Sequence, residues 1–312
     1  MNIAFDLQRF SGTFVPDEGT EIITISGKII KPAGNVMSGN TMTFKMKKKN
    51  TLQGVTLPSS AGRTTPINML GDNRTLQNIS DIFNSGRGPS CFIPGDYFDI
   101  TFQSDVTLSS GTIAANSTWR VVCLGIDHNS SLEGTNRGHF CIGKNTDGTE
   151  IAFCYEKMNP SNTNSGGWAS CSMKTWLNGT FYDALPTDLK NVITECTKYT
   201  DNTGNVSDIA DNVTSTSQKI WLLAEFEVFG SRTYYANQYE KSKQTQYDYY
   251  KNGNSTIRYG HSNGKNMYWW LRSPNHNKSI GFCNVTGNDG VADANAAASV
   301  NGVVPCFTIG GN

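Results

Sequence analysis

The chain has 312 residues, enough for one large or two ordinary domains, and no stretch approaches the ~20 apolar residues that cross a bilayer. Lys and Arg total 26, as do Asp and Glu, so the formal net charge is zero. No basic or acidic field therefore points to nucleic acid or to cations as partners. The charged fraction is low at 17% while Gly is abundant, which is typical of a β-rich, loop-rich protein with a polar surface.

The first part of the chain, residues 1–95, differs in sequence pattern from the rest. Residues 21–30 predict two short strand pieces around a glycine turn, and residues 41–49 alternate apolar and polar side chains as a half-buried strand does. Residues 76–83 predict a short helix. We expect residues 1–95 to form an assembly or attachment region and residues 96–312 to form a compact α+β domain.

Strand patterns open the larger part. Residues 97–102 and 117–126 predict strands, and the apolar run of the second indicates burial on both faces. Residues 139–142 and 150–155 flank a turn at 145–148, the pattern of a hairpin. Residues 219–229 predict a core strand, on which Glu225 and Glu227 bond to nearby backbone. Residues 234–259 predict an aromatic-rich excursion that is partly helical.

Two helices are predicted between these strands. The first carries its apolar face on Trp168, Cys171, Met173, Trp176 and Leu177, and ends at Asn178 and Gly179. The second begins after Pro186 with Thr187 as its cap. Its apolar face is formed by Leu189, Val192, Ile193 and Cys196.

The eight cysteines are widely spaced, with no CxxC pair. The opening MNIAFDLQRF lacks the apolar run of a signal peptide. We therefore expect thiols made in a reducing cytosol and buried as small hydrophobic side chains, rather than disulfides.

Motifs for catalysis or metal binding are missing from the sequence. His128, His139, His261 and His276 have no paired spacing, and neither a GxSxG elbow nor a phosphate-binding glycine loop occurs. Glu225 and Glu227 lack a matching cleft motif for glycoside hydrolysis. We predict no catalytic residue, no metal and no cofactor, and hence no enzyme. His276 is retained as a ligand contact because it lies within a polar, loop-like stretch.

Four ordered motifs resemble a C-type-lectin-fold family found in phages and bacteria of the gut. They are GW…S.KTWLN..F at 167–181, WLLAEFEVFG at 221–230, YWWLRSP at 268–274 and GVVPCFTI at 302–309. The family includes variable proteins of diversity-generating retroelements, which are functionally similar to phage major tropism determinants. The resemblance covers residues 95–309. It implies a C-type-lectin-like domain with mixed or antiparallel sheets and two helices.

The resemblance also separates scaffold from surface. We assign the scaffold to Trp168, Trp176, Trp221, Trp269, Trp270, Arg272 and Pro305. Adjacent strand residues face opposite sides, so we expect one tryptophan of the 269–270 pair in the core and the other against a helix or at the surface. Arg272 is expected to brace the loop that follows it. Val304 departs from the family, which often has Arg before the proline, and the calcium signatures of C-type lectins are absent.

Retroelement diversification acts on adenines, so Asn codons and their products mark variable positions within 268–309. The positions expected to contact ligand are Asn275, His276, Asn277, Ile280, Gly281, Asn284, Thr286, Asn288, Asp293, Asn295, Ala298 and Ser299. A polar loop without variability is the alternative interpretation of the same residues.

The function implied is that of a phage receptor-binding protein at a tail fibre tip. Its partners would be a host cell-surface protein or glycan, other tail proteins through the N-terminal region, and two further copies in a homotrimer, with no nucleic acid and no membrane insertion. It would be made in the bacterial cytoplasm and located in the virion. Two alternatives remain: an oxidase of the formylglycine-generating type using Cys283 and Cys306, and a virion decoration protein without variable recognition.

Overall fold

The chain divides between Gln53 and Gly54 into two units. The computed structural model describes residues 23–25, 44–46, 52–232, 235–261 and 264–311. In the first unit, β1 (Ile23–Ile25) pairs antiparallel with β2 (Phe44–Met46), which confirms a strand in each of the two predicted segments. The glycine turn predicted within 21–30 and the opening decapeptide lie outside the described residues.

The predicted boundary at residue 95 is wrong, because residues 54–95 belong to the larger unit. Arg63 forms an ion pair with the buried Asp96, with Nη2 2.7 Å from Oδ2. The backbone N–H of Tyr97 donates to the carbonyl of Ile67 at 3.0 Å. The predicted helix is present as α1 (Leu76–Asn84), which packs on the C-terminal strand of the chain, and α2 (Gly88–Cys91) follows it.

A five-stranded antiparallel sheet, called sheet I here, forms one part of the larger unit. Its strands in spatial order are β10 (Ile193–Thr194), β18 (Cys306–Gly310), β7 (Arg137–Lys144), β6 (Thr118–Ile126) and β3 (Tyr97–Thr101). The strands predicted at 97–102 and 117–126 are confirmed as β3 and β6. Phe140 packs against Phe98 and Phe307 across this sheet, with ring centroids 5.6 and 5.9 Å apart.

The second five-stranded sheet, sheet II, is built mostly from the C-terminal stretch. Its strands in spatial order are β16 (Ala292–Ala296), β15 (Gly281–Val285), β14 (Trp269–Pro274), β17 (Asn301–Val303) and β9 (Cys154–Glu156). Neighbours are antiparallel except β14 and β17, which are parallel. Every residue of β14 and β15 is buried. Residues 268–309 therefore supply four strands of sheet II and then enter sheet I as β18.

Short pairs and helices complete the α+β fold. The pairs are β4 (Val106–Leu108) with β5 (Gly111–Ile113), β11 (Cys196–Asp201) with β12 (Val213–Gln218), and β8 (Ile151–Ala152) with β13 (Tyr259–Gly260). The remaining α-helices are α3 (Ser130–Glu133), α4 (Gly167–Ser170), α5 (Ser172–Trp176), α6 (Tyr182–Ala184), α7 (Thr187–Lys190), α8 (Glu225–Phe229) and α9 (Asp248–Lys251). A π-helical turn covers Leu177–Phe181, and 3-10 turns cover Ala210–Asn212 and Gln238–Ser242. Among all these described residues, no helix is long and apolar enough to cross a membrane.

The predicted hairpin over 139–155 is wrong beyond its turn. Asn145 closes the turn by donating to the Thr149 carbonyl at 3.0 Å, and one bridge joins Lys144 to Glu150. After this bridge the two predicted strands do not continue to pair with each other, because β8 pairs with β13 and β9 pairs with β17. Long-range pairing takes precedence over the local turn signal.

The first predicted helix does not end at Asn178 and Gly179. It breaks at Cys171, resumes as α5, and continues through the π-helical turn into α6. The π-helical turn includes both residues, and the side-chain Nδ2 of Asn178 donates to the carbonyl of Lys174 at 3.0 Å. The buried ring of Phe181 packs against that of Phe153, with ring centroids 5.3 Å apart, and this contact holds the segment against the core.

The second predicted helix and the strand predicted at 219–229 are also corrected. Only α7 is helical after Pro186, and Ile193 instead pairs with Ile309 in sheet I. The hydroxyl of Thr187 donates to Gln103 and does not cap α7. Residues 225–229 form α8, which ends at Gly230 in a left-handed conformation with φ 73°. In the excursion predicted over 234–259, a 3-10 turn and α9 confirm partial helicity; Tyr234 lies outside the described residues.

Candidate ligand-binding surface

Eight of the predicted contact positions reach the surface, and four do not. The exposed or half-exposed residues are His276, Asn277, Ile280, Asn288, Asp293, Asn295, Ala298 and Ser299. Seven of these residues, all except Asn288, are called the candidate surface below. The remaining positions, Asn275, Gly281, Asn284 and Thr286, are buried, which restricts direct ligand contact to the exposed set.

Most of the candidate surface lies at one end of the β15–β16 hairpin, whereas Asp293 lies further along β16, opposite Asn284. The loop between β14 and β15 holds His276, Asn277 and Ile280, and the Ala297 amide donates to the Ile280 carbonyl at 2.8 Å. That bond joins the loop to the turn carrying Ala298 and Ser299. Asn288 lies in the loop at the other end of the hairpin, so the structure does not bring it together with the rest.

Asn164 anchors the loop between β14 and β15, and sequence reasoning missed it. Its buried Nδ2 donates to three carbonyls, those of Asn275 at 3.1 Å, Lys278 at 3.0 Å and Gly281 at 2.9 Å. Its Oδ1 accepts from the amide of Asn205 at 2.8 Å. One side chain thus fixes the loop and ties it to a second loop. No local pattern marks Asn164, because it lies in a polar stretch where every neighbour has the same character.

Segments outside 268–309 border the candidate surface. The exposed Asn162 accepts from the Ala298 amide at 3.1 Å, and the His276 amide donates to the Tyr235 carbonyl at 2.7 Å. The side chain of Tyr235 also hydrogen-bonds to Asp293. Two segments outside the predicted stretch therefore flank the candidate surface and contact its residues.

Beneath the surface, Arg272 does not brace the loop that follows it. It is fully buried, and its guanidinium pairs with Glu227, with Nη2 2.9 Å from Oε1. It also donates to the Leu222 carbonyl at 2.8 Å and to the Thr200 hydroxyl at 2.7 Å. Arg272 therefore joins β14 to α8 and β11. Val304, where the resemblance would place an Arg, is apolar and buried.

Lys198 and Glu133 complete this buried charge cluster. The Lys198 ammonium lies 2.6 Å from Glu133 Oε2 and 3.1 Å from Glu227 Oε1. Burial opposes ionisation of Glu227, but Arg272 and Lys198 outweigh it and hold the pKa of that carboxyl well below its ordinary value. Burial raises the pKa of Glu133 although Lys198 counteracts it. Two cations and two carboxylates thus compensate each other inside the protein.

Two groups of potential metal ligands overlap this cluster. The ligand atoms of Glu133, His139 and Cys196 lie within 4.8 Å of one another, as do those of His128, Glu133 and Glu227. Lys198 fills the position of a cation, because its ammonium contacts both carboxylates and the Tyr247 hydroxyl at 2.8 Å. A metal would have to displace that buried ammonium, so these residues do not fit an ion.

The same cluster explains two of the histidines. The His128 ring stacks on Tyr247 with centroids 3.7 Å apart, and burial lowers the pKa of His128 to about 3. Burial also holds the pKa of His139 well below its ordinary value. The fold brings these two rings to 5.5 Å, but as neutral side chains of the core.

Four of the five predicted scaffold tryptophans and Pro305 have the environment expected of core residues. Trp168, Trp221, Trp269 and Trp270 are fully inaccessible, Pro305 is buried, and Trp176 is half-buried. Of the two positions expected for the second tryptophan of the 269–270 pair, against a helix or at the surface, the surface is excluded because both side chains are inaccessible. Sheet II is covered on both faces at this point, and the indole N–H groups donate to the carbonyls of Thr256 at 2.9 Å and Glu156 at 2.8 Å.

All eight cysteines are buried free thiols, as predicted. Cys283 lies on β15 in sheet II, with its sulfur 3.7 Å from Glu225. Cys306 lies on β18 in sheet I, where it pairs in register with Cys141. Burial raises the pKa of both thiols well above the ordinary value, which disfavours the reactive thiolate.

Comparison with known families gives one match. The family described as Domain of unknown function (DUF6273) matches residues 148–311, just over half of the chain. The chain belongs to this family. The DUF6273 region contains all of sheet II, Asn164 and the Glu227–Arg272 pair, so it includes the candidate surface and its support. Comparisons with curated proteins and with solved structures found no match.

Proposed function

We propose that this protein is a phage receptor-binding protein that holds a host cell-surface ligand on the candidate surface. In this proposal the larger unit is a C-type-lectin-like domain and a variable protein of a diversity-generating retroelement. Residues 1–53 contribute to attachment at a tail fibre tip. A trimeric arrangement would let several weak contacts act together.

The observation that carries the proposal is the separation of exchangeable side chains from a buried framework. The candidate surface occupies a loop, an edge strand and a turn, whereas β14 and β15 behind it are wholly buried. Asn164 and Arg272 hold that framework through backbone carbonyls and buried side chains, and neither residue belongs to the surface. Substituting exposed side chains therefore leaves the supporting contacts intact, which is the physical requirement for changing ligand without refolding.

The lectin-like assignment draws on the α+β architecture and the motifs at 167–181, 221–230, 268–274 and 302–309. Two features support it: the last strand lies inside an antiparallel sheet, and a second sheet carries the long polar stretch. The oxidase alternative has less support, because Cys283 and Cys306 belong to different sheets and have different neighbours.

Cell binding tests the proposal. Fluorescently labelled full-length protein would be titrated onto a panel of gut bacterial strains, and we expect saturable binding to a subset. Replacing His276, Asn277 and Ile280 together by alanine should weaken that binding at least tenfold without lowering the melting temperature. The matched control replaces Thr180, Asn191 and Asn252, which are exposed and lie outside the candidate surface.

Three outcomes would contradict the proposal or part of it. Equal binding by the surface variant and the control would remove the candidate surface from recognition. Presence in purified virions without binding to any strain would favour the decoration protein. A gene neighbourhood without a template repeat and a reverse transcriptase gene would remove diversification while leaving receptor binding to be judged by the titration.

A further inference from the structure

An open cavity of about 390 Å³ lies between the α5–α6 helical segment and the ends of β11 and β12. Its walls include Lys174, Asn178 and Tyr182 on the helical side. Glu195, Ser217 and Lys219 form the strand side. Ligand pockets in proteins span roughly 300–1,000 Å³, so this volume suits a small molecule. None of these residues belongs to the candidate surface.

Asn178 makes the two walls of the cavity rigid with respect to each other. Its Nδ2 donates to the carbonyls of Lys174 at 3.0 Å and Ile220 at 2.9 Å, and its Oδ1 accepts from the Lys219 amide at 3.1 Å. The backbone on both sides is therefore fixed by one side chain. Polar groups on a fixed backbone bind a ligand with little ordering cost.

The charges around the cavity do not balance. Lys219 donates to the Tyr182 hydroxyl at 2.9 Å and lies 4.6 Å from the centre of that ring, and it has no ion pair within the described part of the chain. Lys174 is half-buried and, over the same residues, also lacks an ion pair. Glu195 is the one carboxylate among the lining residues and accepts from the Ser217 hydroxyl at 3.1 Å. One positive charge is left over, which favours an anionic ligand.

We propose that this cavity binds a saccharide that carries a carboxylate group. The two ammonium groups provide charge-assisted hydrogen bonds to the carboxylate. Glu195 accepts from sugar hydroxyls, and Ser217 exchanges hydrogen bonds with them. A simple anion would be attracted by the lysines and repelled by Glu195 without any compensating bond. A neutral sugar would leave the surplus positive charge without a counter-charge. The proposal does not depend on the candidate surface.

Calorimetric titration of the full-length chain with sodium glucuronate, glucose and sodium acetate tests this assignment. We expect saturable binding of glucuronate, at least tenfold tighter than that of glucose or acetate. Lys174→Gln should weaken glucuronate binding at least tenfold and leave the melting temperature unchanged, because Lys174 has no ion pair in the described structure. Lys157→Gln is the matched control, since Lys157 is half-buried, outside the cavity and also without an ion pair in the described residues.

A second variant covers the case in which Lys174→Gln alters the fold. Ser217→Asp places a negative charge beside Glu195 at an exposed position and should weaken glucuronate binding by a similar factor. Equal affinity for acetate and glucuronate would overturn the saccharide assignment, and a lack of saturable glucuronate binding would overturn the site. His276→Ala should leave glucuronate affinity unchanged, so a failure of this proposal can be distinguished from a failure of the proposed function.

Discussion

Replacing Asn164 by alanine should open the loop that carries His276, Asn277 and Ile280. The substitution removes an amide whose two N–H hydrogens are shared among three carbonyls, together with one accepted bond, at a fully buried position. Each full bond contributes about 1 kcal/mol net, so two donors and one accepted bond correspond to a loss of about 2–3 kcal/mol, less whatever entering water recovers. Asn164→Asp keeps the acceptor but turns a carboxylate oxygen toward three carbonyls, and it should destabilise the loop at least as much.

Hydrogen exchange distinguishes loop opening from global unfolding. In the Asn164→Ala variant, amides of residues 275–281 and 297 should exchange about a hundredfold faster, because each 1.4 kcal/mol corresponds to a factor of ten. The exchange rates of amides in β6 and β7 should change only as much as the global free energy of unfolding changes. Urea denaturation measures that global term.

Asn162→Ala is the matched control. It removes one bond to the Ala298 amide at an exposed position, so its effect should stay below about 1 kcal/mol. If Asn164→Ala and Asn162→Ala have equal urea midpoints and equal exchange in 275–281, then Asn164 does not anchor the loop.

Three further predictions concern the buried interior. Glu227→Gln leaves Arg272 without its carboxylate and should lower the free energy of unfolding, measured by urea titration, by about 3–5 kcal/mol. Adding Arg272→Met to Glu227→Gln should recover part of that loss, because no unpaired buried charge then remains at residue 272. If the effects of the two substitutions simply add in the double variant, the two residues are not coupled. Burial raises the pKa of Glu240 to about 7, above its unfolded value, so the protonated form is favoured by folding and its contribution is lost as pH rises from about 4.5 to 7. Between pH 4.5 and 7, the free energy of unfolding of Glu240→Gln, taken from urea midpoints, should therefore rise by about 3 kcal/mol relative to that of the unmodified chain. Parallel pH profiles of the two proteins would refute this. Maleimide labelling followed by mass spectrometry should leave all eight thiols unmodified in the native protein and modify all eight in urea, and rapid native labelling of Cys283 or Cys306 would contradict their burial.

The sequence determined those elements whose signal is local. The alternation and apolar runs of 97–102 and 117–126 became β3 and β6, and residues 76–83 became α1 because Thr75 caps it and accepts from the Asn78 amide at 3.2 Å. The wide spacing of the cysteines and the missing CxxC pair predicted thiols rather than disulfides, and all eight are buried free thiols.

Tertiary structure decided the elements whose partners are distant in sequence. Ile193 had helical spacing but became a strand because Ile309 supplies its partner 116 positions later. Residues 225–229 alternate like a strand, yet α8 forms and Glu227 turns inward to meet Arg272 and Lys198.

The candidate site divides in the same way. The polar stretch after Pro274 was recognisable from composition, but burial removed Asn284 from the exposed set, and the hairpin geometry moved Asn288 to its far end. Asn164 and the lysines of the cavity had no sequence signal. Their roles arise from carbonyls and side chains that only folding brings within hydrogen-bonding or electrostatic range, and pattern along the chain carries no information about such distances.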